Sequence, residues 1–353
     1  MRRALERISL IDVFMWIVGG SIIGIVLVGS VATIRSGQYS IRHWSDFLIF
    51  GVAQGSVYAL IALGYTLVYG ILRMINFAHG EVFMSGAYTA FFVADALSKS
   101  GFLGQNPLLG LLAVFAVSMA TSVTVAVILE RVAYRPLRRA PRLVPLITAI
   151  GASFFLQYTF RGFYGSGFKS YPEVPVLQGS WVWGGIVSIQ RIQVLVIVAA
   201  GLLMLALYTY VQRTRAGKAM RAVSEDKDVA ALMGINVDAV IVQTFIIGAA
   251  LAGAAGVLYA LMFRQVHFFM GFFPGIKAFT AAVLGGIGNI PGAMLGGLFL
   301  GIFESVGPIL FLDGLGVPAP YQLKDAIAFT MLVLILIFRP TGILGERLAR
   351  AKA

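Results

Sequence analysis

The chain has 353 residues, 59% of them hydrophobic and only 12% charged, with a mean hydropathy of +0.89. This composition excludes a soluble globular domain and defines an integral membrane protein. Lys and Arg number 27 against 15 Asp and Glu, but the basic residues are divided among loops rather than gathered in the block a nucleic-acid binder uses. Cys is absent and no His-x-x-x-His pair occurs, which removes disulfides, thiol chemistry and the usual metal-ligand sets.

Several apolar runs reach the ~20 residues that cross ~30 Å of hydrocarbon as helix, and the alternating pattern of a barrel is missing. The fold expected is an all-α, polytopic helical bundle. Arg2, Arg3 and Arg7 precede an apolar run from Val13 to Ile34. Ser30-Val31-Ala32 faintly resembles a cleavage site, but the run exceeds the ~7 to 15 residues of a signal-peptide core, so it reads as a first membrane helix. A linker from Arg35 to Asp46 follows, with Tyr39 and Trp44 suited to an interface. The second span, Phe47 to Leu72, is rich in small residues (Gly51, Gly55, Ser56, Ala59, Ala62, Gly64) that permit close helix packing.

From Arg73 to Ala94 the sequence RMINFAHGEVFMSGAYTAFFVA places Asn76, His79, Gly80 and Glu81 within an apolar region. Polar groups persist there only where protein or a water-filled cavity satisfies them, so this stretch reads as a broken helix lining a path. Glu81 falls in the first turn of the second arm, where a carboxylate either caps the helix start or meets a permeant solute. Leu108 to Leu129 is a further span. The loop ERVAYRPLRRAPR then carries Arg131, Arg135, Arg138, Arg139 and Arg142, which the positive-inside rule assigns to the cytoplasm. Leu143 to Tyr164 returns outward. The connection from Gly165 to Arg191, with Trp181 and Trp183, is either an aromatic belt or a docking surface.

After a span from Ile192 to Val211 comes QRTRAGKAMRAVSEDKDVAALMGINVDA. Ser224 suits an N-cap, Glu225, Asp226 and Asp228 a first turn, and Gly234 a stop, which predicts a short helix from Glu225 to Met233. Val240 to Phe263 crosses again. The stretch GIKAFTAAVLGGIGNI, Gly275 to Ile290, is a second interrupted element, and Pro291 opens a run to Leu312. Each half thus has a long span, a broken element and a further span, the pattern of repeated halves meeting at a pathway. Lys277 and Glu304 lie in flanking apolar segments and can form an intramembrane pair. Lys324 to Phe338 is the last span, with Arg339, Arg347, Arg350 and Lys352 beyond it. Counting both interrupted arms gives about ten crossings, with both termini cytoplasmic.

Neither a G-x-x-x-x-G-K-[ST] loop nor a G-x-S-x-G elbow occurs, and Gly285, Gly286 and Gly288 lack the Lys and Ser or Thr that hold phosphate and magnesium. No catalytic residue, bound cofactor or metal site is expected in this chain. What remains is a pore or transporter. Candidate path residues are Asn76, His79, Glu81, Gly285, Gly286 and Gly288, each of which equally serves helix packing or capping.

The stretches GVAQGSVYALIALGYTLVYGILRMINFAHGEVFMSGAY (Gly51 to Tyr88), ERVAYRPLR (Glu130 to Arg138), AVSEDKDVAALMGIN (Ala222 to Asn236), KAFTAAVLGGIGNIPGAMLGG (Lys277 to Gly297) and FRPTGILG (Phe338 to Gly345) resemble bacterial branched-chain amino-acid ABC transporter permeases of the LivH type. That resemblance implies an importer of the bacterial inner membrane. Two homologous permeases would form the path, two ATPase subunits bind the ATP and drive it, and a periplasmic binding protein delivers leucine, isoleucine or valine. Residues 47–353 would be the permease domain and 1–46 an extension of membrane helix and linker. The segment 212–239 takes the place of the importer coupling loop, whose wider pattern is Glu-Ala-Ala, three residues, then Gly. Here Glu225, Ala230, Ala231 and Gly234 supply those residue types with wider spacing. Other readings are the same machine importing urea or a short amide, or a stand-alone channel or secondary carrier working without ATP.

Overall fold

The structure is a computed structural model describing residues 10–345 except 139, 142, 186 and 340. Arg2, Arg3, Arg7, Arg139, Arg142, Arg347, Arg350 and Lys352 therefore lie outside the described residues. In chain order the helices are α1 (Leu10–Ser36), α2 (Ile41–Leu72), α3 (His79–Lys99), α4 (Pro107–Leu129), α5 (Leu143–Tyr164), α6 (Arg191–Arg213), the short α7 (Arg215–Glu225) and α8 (Lys227–Leu232), α9 (Val237–Phe263), α10 (Phe272–Gly285), α11 (Ile290–Leu312) and α12 (Lys324–Phe338). Eight of these are long and apolar enough to cross a membrane, and the interrupted arms α3 and α10 bring the membrane elements to ten.

Most spans follow the apolar runs, with one clear shift. Two thirds of the linker between the first two spans is helical, because α1 runs to Ser36 and α2 begins at Ile41 rather than at Phe47. Ser40 starts it: its hydroxyl lies 2.8 Å from His43 Nδ1, and its amide donates to the same nitrogen at 3.3 Å. This reciprocal cap extends α2 to 32 residues, about 48 Å at 1.5 Å per residue, so its ends project beyond the hydrocarbon.

One face of the bundle carries the turn after α4 together with α7 and α8; its arginines make it the basic face. The opposite face carries the loop between α5 and α6. In that loop the strands Ser180–Trp183 and Val187–Gln190 form an antiparallel hairpin, and the two-residue strand Lys169–Ser170 pairs with Gln265–Val266. Trp181 and Trp183 stand exposed on it.

Burial concentrates in α2, α3, α9 and α10. The most apolar stretches of α2 and α9 are each 72% buried, against 6% for that of α12. The packing has an internal symmetry: α2 lies along α11 and α9 along α4, α3 packs on α4 as α10 does on α11, and α2 and α9 cross each other at the centre. This pairs α2–α5 with α9–α12, with α1 and α6 as the elements that precede each set. With five membrane elements in each half, the second half enters from the side on which the first leaves, so the repeats are inverted.

Glycine sets the separation of α2 and α11. A Cβ at Gly301 would strike the backbone of Gly55 and Gly51, and one at Gly297 the backbone of Ala59. The two helices therefore touch main chain to main chain, the arrangement that drives helix association where no hydrophobic effect operates between helices. α1 docks on the far side of α11. Thr33 Oγ1 donates to the Ile309 carbonyl at 3.3 Å and accepts from the Gly314 amide at 2.8 Å. Replacing Gly301 with Val should cost at least about 1 to 3 kcal/mol through overpacking. The check is the thermal midpoint in detergent, which should fall by several degrees, whereas Gly20→Val, at a glycine with no neighbour to strike, should leave it unchanged.

Candidate functional site

The two interrupted helices meet. α2 ends at Arg73, whose φ of +56° places a non-glycine residue in the left-handed region, and α9 ends at Arg264 with φ +55°. From each arginine the chain follows the same pattern: Arg73-Met74-Ile75-Asn76-Phe77-Ala78-His79-Gly80 and Arg264-Gln265-Val266-His267-Phe268-Phe269-Met270-Gly271. The shared features are the arginine, a β-branched residue two later, a side chain with ring or amide nitrogen, a phenylalanine, and a glycine seven residues on. These two glycines lie against each other. A Cβ on Gly80 would strike the Gly271 carbonyl and the Gly275 Cα, and one on Gly271 the Gly80 carbonyl. Only glycine lets the chains approach this closely.

The joint after Arg73 turns back into the bundle. His79 packs edge-on against Tyr65 with ring centroids 4.9 Å apart, and its imidazole occupies the space a Cβ on Gly64 would need. Gly64 stands eight residues before the end of α2, so α3 begins about 12 Å inside the basic face. α3 then runs towards the opposite face and α10 towards the basic face. The two helices thus meet N-terminus to N-terminus, and the positive ends of both dipoles converge at Gly80 and Gly271.

Asn76, His79 and Glu81 occupy one joint but address three neighbours. Asn76 Oδ1 accepts from the Tyr134 hydroxyl at 2.5 Å, in a π-helical turn after α4. His79 faces α2. Glu81, 1% exposed, lies in the first turn of α3 as its position predicts, but its side-chain partners are on α5. Gln157 Nε2 donates to Oε1 at 2.7 Å and Ser153 Oγ at 3.2 Å. Glu81 Oε2 is buried without a hydrogen-bond partner among the described residues.

Gly285, Gly286 and Gly288 sit elsewhere, at the far end of the 14-residue α10, roughly 20 Å from Gly271. Gly286 and Gly288 have φ of +103° and +99°, a turn that glycine makes without strain. The segment after α12 closes over it. Ile343 and Leu344 amides donate to the carbonyls of Leu284 and Gly285 at 2.8 and 3.0 Å, and Asn289 Nδ2 donates to the Leu344 carbonyl at 3.0 Å. The candidate path residues are therefore two separate groups, one at each end of α10.

Lys277 and Glu304 do pair, at 2.5 Å, with side chains 5% and 1% exposed. A third member escaped sequence reasoning: Asp325 Oδ1 lies 2.6 Å from the same ammonium, and Lys277 also stands over the Tyr58 ring at 5.9 Å. Tyr58 accepts from Gln54 Nε2 at 2.6 Å. This network joins α2, α10, α11 and α12.

On the basic face the predicted short helix divides in two. α7 runs through Ser224 to Glu225, and α8 starts afresh at Lys227. Ser224 is not its N-cap, because its hydroxyl is turned back to the Arg221 carbonyl at 2.7 Å. Asp226 caps instead, accepting from the amides of Asp228 and Val229 at 2.9 and 3.0 Å. Glu225 is accordingly the last residue of α7 and exposed. Ala230 is buried, Ala231 exposed, and Gly234 (φ +83°) ends α8 as expected, its amide bonded to the Ala231 carbonyl at 3.0 Å. Leu232 and Met233 stand 86% and 78% exposed beside Val229. Nearby, Arg138 bridges the carboxylates of buried Glu130 and exposed Asp238.

Ten membrane elements in inverted halves, with two interrupted helices meeting inside the bundle, define a membrane transport protein. The sequence matches the family described as branched-chain amino acid transport system permease component over residues 47–336, and the chain belongs to that family. It is 48% identical over 311 residues to the high-affinity branched-chain amino acid transport system permease protein BraD of Pseudomonas aeruginosa, covering 87% of this chain and 97% of that protein. It is 45% identical over 300 residues to LivH of Escherichia coli K12, a permease protein of the same description, covering 84% and 94%. A probable permease protein LivM of Methanocaldococcus jannaschii is 30% identical over 143 residues, 37% of this chain and 40% of that one. The chain is a transport component of an ABC importer rather than an enzyme.

Removing Lys277 should leave Glu304 as an uncompensated buried carboxylate. Lys277→Met is expected to cost about 3 to 5 kcal/mol, and adding Glu304→Met should return most of it. A double-mutant cycle on denaturation midpoints in detergent measures the recovery.

Proposed function

We propose that this chain is the membrane-spanning subunit that carries branched-chain amino acids inward, in an importer driven by ATP on partner subunits. The supporting observation is the joint at Gly80 and Gly271. Two helix N-termini converging inside the bundle favour a solute bearing a carboxylate, which leucine, isoleucine and valine have and urea lacks. BraD and LivH, described as high-affinity branched-chain amino acid permease proteins, are in keeping with that cargo. Residues 1–46 are an extension, of which α1 packs on α11, and residues 47–353 form the permease domain.

The basic face is cytoplasmic in this reading, with both termini on that side of the bacterial inner membrane. The opposite loop then meets the binding protein, and a homologous second permease completes the path, in keeping with the similarity to a LivM protein. Asn76, His79 and Glu81 hold the start of α3 at the path, and Gly285, Gly286 and Gly288 shape its cytoplasmic end. ATP is bound by two ATPase subunits rather than by this chain. The segment 212–239 couples them. α8, set off by the Asp226 cap and the Gly234 turn, presents Val229, Leu232 and Met233 as an apolar knob, with Ala231 beside it and Glu225 at its base. Large apolar side chains left bare in a water-facing loop mark a docking contact.

The test is uptake of radiolabelled leucine and of urea into vesicles holding the chain with its partners, with and without ATP. ATP-dependent leucine uptake is expected. ATP-dependent urea uptake overturns the cargo, and uptake of either by the chain alone without ATP overturns the machine. Leu232→Asp should reduce retention of the ATPase subunits on affinity-purified permease by about tenfold or more, as loss of a buried anchor does, while leaving the permease itself folded.

A further inference from the structure

Arg73 is held in a conformation its side chain does not favour, at the point where α2 gives way to the joint. Its amide closes the helix by donating to the Tyr69 carbonyl at 2.8 Å. Glycine takes this left-handed position without strain, so an arginine kept there points to a use for its guanidinium. That group donates from Nη2 to the Ser224 carbonyl at 3.1 Å, although 151 residues separate the two in sequence. Ser224 lies in the last turn of α7, where carbonyls lack partners within the helix and the dipole favours a cation. The bond therefore fastens the end of α7, immediately before the Asp226 break that frees α8, to the first residue of the joint leading to Gly80.

Other contacts place the same connection in a polar setting. Lys227, the first residue of α8, lies close to both Arg73 and Arg138; burial, and then those two charges, hold its ammonium below the usual lysine range. Asn76, three residues beyond Arg73, is tied to Tyr134. α7 is thus bonded to the joint at Arg73, and Asn76 ties the next turn to the segment after α4.

The inverted repeat supplies a comparison within the molecule. Arg264 occupies the equivalent place, in the same left-handed conformation, and pairs with Glu173 in the loop of the opposite face. Both halves attach the arginine that ends the long helix to the loop segment on its own side. Only Arg73 is attached to the segment between α6 and α9.

We propose that Arg73 is a positioning residue for energy coupling: through the Ser224 carbonyl it transmits displacement of α7 and α8 to the start of α3, and so to the contact of Gly80 with Gly271 where the interrupted helices meet. The proposal rests on the importer reading above. It assigns to Arg73 a role separate from solute binding and from assembly, since the side-chain bond it makes is to the end of α7 rather than to α8's apolar knob or the N-termini of α3 and α10.

The experiment is the ratio of leucine transported to ATP hydrolysed in vesicles containing the complete complex. Arg73→Gly preserves the left-handed backbone and removes the donor. It should keep assembly and ATP hydrolysis while the ratio falls by about fivefold or more, and Arg73→Lys should recover about half of the loss. Arg35→Ala, at an exposed arginine in the last turn of α1 and outside both joints, should leave the ratio within about twofold of the unmodified complex. An unchanged ratio in Arg73→Gly, no recovery in Arg73→Lys, or an equal fall in Arg35→Ala overturns the proposal. An unmodified complex that takes up leucine equally with and without ATP overturns the importer reading itself, a result distinct from each of these.

Discussion

Hydrocarbon offers no partner to an amide released from a helix, and this constraint decides where α3 and α10 can begin. Both joints re-form bonds within a few residues. The His79 amide donates to the Asn76 carbonyl, and those of Glu81 and Val82 to Ala78; in the second joint Met270 donates to His267 and Phe272 to Phe269. α2 and α9 cross beside the joints and exclude lipid, which explains why they are the most buried of the eight full spans. Glycine at 80 and 271 lets the two restarted helices touch through backbone, so the apolar shell, the turns and the close contact are parts of a single solution.

Charge is handled differently at the edge of the bundle. α12 has little apolar attachment, with Ala328 its one fully buried residue among those described. Its tie to the core is the ammonium of Lys277, shared with Glu304 on α11. An ion pair of this kind adds little net stability after desolvation, but it is directional in a way that leucine packing against lipid is not. It fixes where α12 lies, and the segment following α12 then reaches back to seal the turn at Gly286.

The membrane class, the number of crossings and the two interruptions were legible because hydrophobic run length and polar intrusions are local signals. The Lys277 and Glu304 pair was also accessible, since two opposite charges in apolar segments have few ways to be satisfied. Asp325 was not, because a carboxylate near a helix start reads as an ordinary first-turn residue. Gln157 and Ser153 were hidden for a similar reason: α5 reads as a plain span, and only the folded chain brings it beside Glu81. Ser224 misled because it precedes acidic residues as a cap should. Asp226 reaches the first amides of α8 itself, and α7 continues through the serine. The clearest missed signal was the spacing from Arg73 to Gly80 and from Arg264 to Gly271, which low identity elsewhere in the two halves concealed.

That repeat also bears on how the protein acquires its orientation. The same eight-residue pattern builds a joint opening towards one side of the membrane in the first half and towards the other in the second. Nothing within the pattern can therefore encode which side is which. Its geometry is indifferent to being turned over, and the information that orients the chain must lie in the connecting segments, where arginines cluster after α4 and around α7 but not at the joints. Orientation is thus encoded in the connecting segments and the central contact in the joints, while the segment around α7, bonded to Arg73 through Ser224, serves both.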